Sequence, residues 1–517
     1  MLAWTERLDG GRTLRLEGVA TALVVALGFA LTFAKAALAP ITTDEAWNFN
    51  GWASHDFPRV FGDYSQPNNH ILHTAAVRVS LLAFGPSELA LRLPALAGYV
   101  LLLVAVALLA RQLLRYATAR VLCLAAIALH PYMIDFGALA RGYTLGLGLA
   151  LLGLVCAVRA ARSPTRQVAL GWLAVAGLCV GGAVGAVMLF VNLIAAEVCA
   201  AFVVLGRERP WRERALGLGA VILPALAVLA ATYGHVLRVP GRLQFGALDL
   251  TTSLASLHRL FVYDTQSLLD AHGHPLVSGP IVPWQDGILS AAFGPLLAAP
   301  SVGVVLGVLV AAAIASAVVR AGSRERNAAA LPGLMLAGVF GLAAAEHAMA
   351  GLPWPFHRTW IAAVPLAVLA LAVATEALLE AFPPERRRAA GAALGAACAL
   401  FIAVGCTRWN PSIYREWPDN APVREVLDRI AAARAPGGST SVGHPWYLDA
   451  CFRYYREVRH LDWLELAPRP VLAEQPGAQF VLANRRTDMG QFAEYGALAR
   501  WESLGVTLLQ RKGGEAP

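Results

Sequence analysis

Two carboxylates, Asp44 and Glu45, stand side by side in the stretch PITTDEAW (40–47), directly after an apolar run ending at Ala39. Adjacent acids at such a place have two readings. Thr42 and Glu45 have the T-x-x-E spacing of a capping box, and acids in a first turn suit the helix dipole. Alternatively, one of them takes a proton at the membrane surface as a general base. The segment from Ile41 to about Pro86 also holds Asp56, Asp63, Asn69 and His70 beside Trp47, Trp52, Phe57 and Phe61. That mixture suits amphipathic helices lying in the bilayer interface. A loop at that depth brings its acids to the headgroup of a lipid-linked substrate.

Two further stretches carry chemistry. HPYMIDFGALARGY (130–143) sets His130, Asp135, Arg141 and Tyr143 near one external surface. EHAMAGLPWPFHRTWIAAVP (346–365) ends one apolar segment with Glu346 and His347 and opens the next with His357 and Arg358. An external arginine at a helix start is placed to grip a phosphate by paired hydrogen bonds. The blander readings are snorkelling or pairing with an acid for the arginines, packing for His130 and His347, and solvation for Asp56 and Asp63. Glu197 lies inside an apolar run; with no second acid or lysine at its depth, it reads as an interhelical hydrogen-bonding residue.

The elements that must position these groups are membrane helices. Of the 517 residues, 57% are hydrophobic and 15% charged, and stretches of about 20 apolar residues recur, each able to cross a hydrocarbon core. The net charge of +8 resides in short inter-helix clusters, with no interleaved basic-aromatic patch, so nucleic acid is not the partner. Seven scattered cysteines make no disulfide framework, and no spacing rule supports a Cys406–Cys451 bond. The run from about Gly18 to Ala39 is too long for a signal-peptide core and reads as a retained signal-anchor.

Arginine clusters alternate between loops, which places the N-terminus in the cytoplasm, about eleven spans in the cytoplasmic membrane and the C-terminus outside. The spans are expected to begin near Gly18, Glu88, Arg120, Ala138, Val168, Val187, Ala215, Pro300, Ala329, Arg358 and Ala389, with a Gly-rich turn dividing Val168–Leu205. Residues 1–407 form the membrane domain, with a second large external loop at about 233–289 and a short helical pattern around Leu254–Leu269. Residues 408–517 fall in hydropathy. There STSVGHPWYLDACFRYY, AQFVLANRR and GVTLLQRK suggest strand–helix–strand units, hence a small external α/β domain.

The acidic pair after the first span, PNNHILH (67–73) and FGPSELALRLPALAGY (84–99) together resemble the GT-C superfamily of integral-membrane glycosyltransferases. The nearest likeness is to bacterial relatives of protein O-mannosyltransferases and of the lipid A aminoarabinose transferase. ARGY (140–143) and HRTWIAAVP (357–365) resemble further family signatures. The resemblance implies an all-α polytopic fold and transfer of a sugar from a polyprenyl-phosphate donor to a lipid, glycan or protein acceptor. It implies Asp44 as base with Glu45 beside it, and Arg358, His357, Arg141, Tyr143, His70 and Asn69 around the donor. Arg92 reads as structural, paired with Glu88. Metal-dependent members carry a further acidic motif where this chain offers only Asp135, so no metal or other cofactor is expected. A single base opposite a good leaving group predicts inversion. The alternative is a multi-helix transporter or flippase of a lipid or sugar, against which stand the absent inverted repeat and the scarcity of polar residues at mid-depth.

Overall fold

The computed structural model describes residues 10–66, 68–205, 210–234, 247–261, 328–355, 357–380, 382–466, 478–484, 487, 489–502 and 504–512. Long apolar helices dominate: α1 (Gly10–Leu38), α5 (Glu88–Leu113), α8 (Tyr143–Arg162), α9 (Arg166–Ala186), α11 (Trp211–Tyr233), α13 (Leu331–Ala350), α14 (Ala363–Glu380) and α15 (Pro384–Thr407). Among the described residues eight helices are long and apolar enough to cross a membrane. A ninth span is counted if α6 (Ala117–Ala128) and α7 (Pro131–Ala138), bent by 56° at their junction, act as one. Leu23, Leu27 and Phe33 of α1 face outward, as lipid-facing side chains do.

Several expected boundaries move. Pro131 lacks an amide hydrogen and breaks the third span, so Pro131–Ala138 forms a short separate helix, and the fourth span opens at Tyr143 rather than near Ala138. The glycines of α9 make no turn. A Cβ on Gly177 or Gly181 would lie 2.2 Å from the Val221 carbonyl oxygen or 2.8 Å from that of Ala225, so these positions let α11 pack backbone to backbone. The break comes at extended Val187, and the following apolar stretch, Met188–Phe202 within and just before α10 (Val191–Leu205), is shorter than a full span. α12 (Leu250–Phe261) forms where the short helical pattern begins; the span expected near Pro300 lies outside the described residues.

The segment after α1 folds as short helices: α2 (Thr43–Asn48), a π-helical turn (Phe49–Ala53), α3 (Phe57–Gly62) and α4 (Ile71–Phe84). The C-terminal part is α/β. α16 (Val423–Ala433) buries Val423, Val426, Leu427 and Ile430, the i, i+3, i+4, i+7 stripe of a half-buried helix. With α17 (Asp449–Val458) it accompanies a five-stranded sheet of order β2-β1-β3-β5-β4, made of β1 (Thr440–Gly443), β2 (Leu464–Leu466), β3 (Phe480–Ala483), β4 (Tyr495–Trp501) and β5 (Val506–Arg511). β1 runs parallel to β2 and β3, while β5 is antiparallel to β3 and β4. β2 and β4 escaped the sequence reading. One apolar core joins Ile41, Ala46 and Phe49 to Leu427, Phe452 and Leu508, so the sheet domain seats directly on the segment that follows α1.

Beneath that core lies a polar knot. Fully buried Arg92 spends its five N–H donors on Glu45 Oε1 and Oε2 and on the carbonyls of Ala36, Ala39 and Pro40, at 2.7–2.9 Å. Arg92 therefore pairs with Glu45, not with Glu88, which instead accepts from Arg424 and Tyr455. A second buried pair, Lys35 Nζ with Asp135 Oδ1 at 2.6 Å, ties α1 to α7, and Lys35 also donates to the carbonyls of Asn410 and Ile413. Breaking a buried pair by removing one partner costs about 3–5 kcal/mol, because the other charge is stranded. Arg92→Met should accordingly lower the melting temperature in detergent sharply. An unchanged melt would show that the knot bears no stability.

Candidate active site

Thr42 caps α2, and both halves of the capping box form: the Glu45 N–H donates to Thr42 Oγ1, and the Thr42 N–H to Glu45 Oε2 at 2.9 Å. With Thr42 Oγ1, two bonds from Arg92 and the Ala140 N–H at 2.7 Å, the Glu45 carboxylate accepts five hydrogen bonds. Its lone pairs are consumed. Asp44, one residue earlier on the helix, points the other way. Its Oδ2 is buried and forms no hydrogen bond among the described residues, yet it lies 3.4 Å from Arg358 Nη2 and 3.9 Å from Arg141 Nη2. Its backbone carbonyl is held by Asn68 Nδ2 at 2.9 Å.

The two arginines come from distant parts of the chain. Arg141 follows α7; its Nη1 donates to the Asn68 carbonyl at 2.8 Å and its Nη2 sits 2.9 Å from His70 Nε2. Arg358 lies on a 3-10 turn before α14, bonds Glu416 Oε2 through Nη1 at 3.2 Å and covers the Trp417 ring at 5.4 Å. The Tyr132 hydroxyl donates to the other Glu416 oxygen. Tyr143, packed edge-on to His70 at 5.3 Å, is within electrostatic reach of Arg358, Arg141 and Asp44. Asp44, Arg141, Arg358, His70 and Tyr143 thus converge.

The other candidates, Asn69 and His357, make contacts of their own. Asn69 gives its amide hydrogens to the carbonyls of Val60 and Asp63 and braces the loop. His357 adopts φ 48°, and its N–H donates to Ser256 Oγ at 3.2 Å. Glu416 and Trp417 escaped the sequence reading, although YREW just beyond the last span mixes aromatic and charged residues much as the segment after α1 does. Glu197 lines a mostly apolar cavity of about 140 Å³ among α8, α9, α10 and α11 that includes neither Asp44 nor its arginines. Its Oε2 has no hydrogen-bond partner among the described residues, against the interhelical bond expected. All seven cysteines are free, Cys406 and Cys451 included.

Over nearly its whole length the chain superposes on ArnT from Cupriavidus metallidurans bound to undecaprenyl phosphate. The TM-score is 0.52 at 13% identity, covering 96% of this chain and 99% of that one. The fold is GT-C-like. The apo state of that ArnT aligns at a TM-score of 0.42 and 13% identity, covering 94% of this chain and 97% of that one. The Archaeoglobus fulgidus oligosaccharyltransferase in complex with Zn and sulfate aligns at 0.43 and 12% identity, covering 84% and 61%. No protein-family model and no curated protein matches the sequence.

Among the described residues no three His, Cys, Asp or Glu side chains cluster to hold a metal ion. Asp135 is engaged by Lys35 and by the Arg415 N–H, and Asp44 is flanked by guanidinium groups, which repel a cation. The described residues around Asp44 and Asp135 do not fit a metal ion.

His70 and His73 add a pH signature. Burial first, then the Arg141 charge, holds the His70 imidazole well below its ordinary range and His73 at about 3. A neutral imidazole accepts at one nitrogen only, so the Gly142 N–H, 3.0 Å from Nδ1, and Arg141 compete for one lone pair. Both histidines stay neutral in the fold, whereas the unfolded chain protonates them below about 6.5. Stability should therefore fall as pH drops from about 7 to about 5. His73→Leu should flatten that slope in melting curves recorded across the range, and an unaltered slope would contradict the assignment.

Proposed function

We propose that the chain is an integral-membrane glycosyltransferase that moves a sugar from a polyprenyl-phosphate donor to an acceptor hydroxyl at the outer face of the cytoplasmic membrane. One observation carries the reading: a buried carboxylate oxygen of Asp44, free of hydrogen bonds among the described residues, between two guanidinium groups. In it, Asp44 takes the acceptor's proton as the acceptor oxygen bonds to the anomeric carbon. The bond from that carbon to the phosphate oxygen breaks, and the polyprenyl phosphate leaves with the electron pair. A phosphate is a good leaving group, so a base and cations suffice. Attack opposite the leaving group inverts the anomeric centre, by analogy with single-displacement glycosidases.

Arg141 and Arg358 are the donor-phosphate ligands in this reading, with Asp44 and Glu416 as their counter-charges before the donor arrives. A phosphate oxygen beside Arg141 would also accept from His70 Nε2–H and end the competition for that imidazole. The undecaprenyl phosphate bound to the ArnT with which this fold superposes is the same class of carrier. The arginine-cluster topology supports a cytoplasmic N-terminus and an external C-terminal domain.

Arg358→Gln removes a charge-assisted contact of about 1.5–3 kcal/mol, so affinity for undecaprenyl phosphate in nanodiscs should fall about ten- to a hundredfold. Unchanged affinity would remove Arg358 from the donor site. Mass spectrometry of envelope glycans and lipids with and without the protein should reveal one missing sugar. An unaltered envelope with altered metabolite uptake would instead establish the transporter.

A further inference from the structure

A second cavity, polar where the one at Glu197 is apolar, opens between the first external segment and the sheet domain. Its volume is about 280 Å³, at the small end of ligand pockets. Two tryptophans, Trp47 and Trp52, line it with two arginines, Arg59 and Arg453, and two aspartates, Asp63 and Asp449. Asn50 and Gln66 add amides, and among the described residues the lining holds no Leu, Ile, Val, Phe or Met. Among the described residues the two indoles are the large apolar surfaces of this lining, too little to cover an acyl chain. Two acids balance two bases, so a strongly charged headgroup gains no net attraction.

What fits is a polyol. Sugar rings have apolar C–H faces that rest on indole and hydroxyl edges that pair with planar carboxylate, amide and guanidinium groups. The local backbone is built for this. The π turn, closed by the Ser54 N–H on the Phe49 carbonyl at 3.1 Å, carries Asn50 and Trp52, and Arg59 Nε holds the Gly51 carbonyl at 2.8 Å. Asn50 Nδ2 bonds the Ala450 carbonyl at 2.9 Å and so links the turn to α17. Arg453 is fixed through Nε by Asp449 Oδ2 at 2.6 Å, which leaves its two terminal amino groups to bind a guest. Trp47 lies three residues beyond Asp44 on α2, and side chains at that spacing share a helix face about 5–6 Å apart.

We infer that this pocket is the acceptor subsite and that the acceptor is a saccharide, seated on Trp47 with its reactive hydroxyl one helical turn away at Asp44. The inference rests on the transferase reading and adds to it the chemical class of the acceptor. It is tested on the full-length Asp44→Asn protein in nanodiscs, so that binding is read without turnover. The probes are an array of mono- and oligosaccharides, Ser/Thr-containing peptides, and phosphatidylethanolamine vesicles. Saturable binding of a saccharide is expected, weakened about tenfold or more by Arg453→Ala and by Trp47→Ala. The half-exposed Arg453 provides a variant whose folding is not at risk, and Gln66→Ala, at an exposed position, should weaken binding in the same direction. Binding of peptides or vesicles alone, of nothing, or of saccharide with unchanged affinity in all three variants would overturn the subsite. Saccharide binding by a protein whose Asp44→Asn form still transfers sugar would keep the subsite and overturn the transferase mechanism instead.

Discussion

The structure hangs on the buried Glu45–Arg92 pair. A fully desolvated guanidinium is costly unless every donor is met, and here each is, by one carboxylate and three carbonyls at the end of the first long helix. Those partners belong to segments that must meet for the site to exist: the end of α1, the first turn of α2, and the middle of the α5 N-terminal half. Glu45 also receives the Ala140 N–H, and so sets the backbone immediately before Arg141. The pair therefore positions both Asp44 and one of its two flanking cations. Lys35 and Asp135 repeat the device a short way along α1 and draw in the chain at Asn410–Ile413, just ahead of Glu416.

Two neighbouring acids thus have opposite environments. Glu45 is saturated with donors and exposes nothing; Asp44 keeps a carboxylate oxygen with no hydrogen bond among the described residues, beside two arginines. The alternation is a consequence of helix geometry, since successive residues are about 100° apart and cannot face the same way. A helix cap, an ion pair and a catalytic candidate fit into one turn because each uses a different face. The sheet domain packs against this turn through a common apolar core, which makes it part of the site's scaffold rather than an appendage.

Much of this was legible in residue order. The T-x-x-E spacing specified the capping box, hydropathy specified a polytopic helical protein, and alternation in the tail specified an α/β unit. Residue types at helix ends singled out Arg141, Tyr143 and Arg358, while their gathering around Asp44 with His70 was only implied by the family resemblance. Partner choice in the interior was not legible. Arg92 sits one turn from Glu88 on its own helix, yet it bonds an acid 47 residues away, because only the fold decides which carboxylate reaches its depth. The glycines of α9 resembled a turn and proved to be a packing surface, since a missing Cβ serves either purpose. Glu416 and Trp417 were overlooked because residues 408–517 were read as one external α/β domain, when the stretch just after the last long helix reaches Arg358.

The central claim is the division of labour between the adjacent acids, and substituting each separately tests it most directly. Transfer from a polyprenyl-phosphate sugar should vanish in Asp44→Asn while its melting temperature stays at the wild-type value. Glu45→Gln should lower the melting temperature, because Arg92 loses its counter-charge. Wild-type transfer by Asp44→Asn would contradict the account.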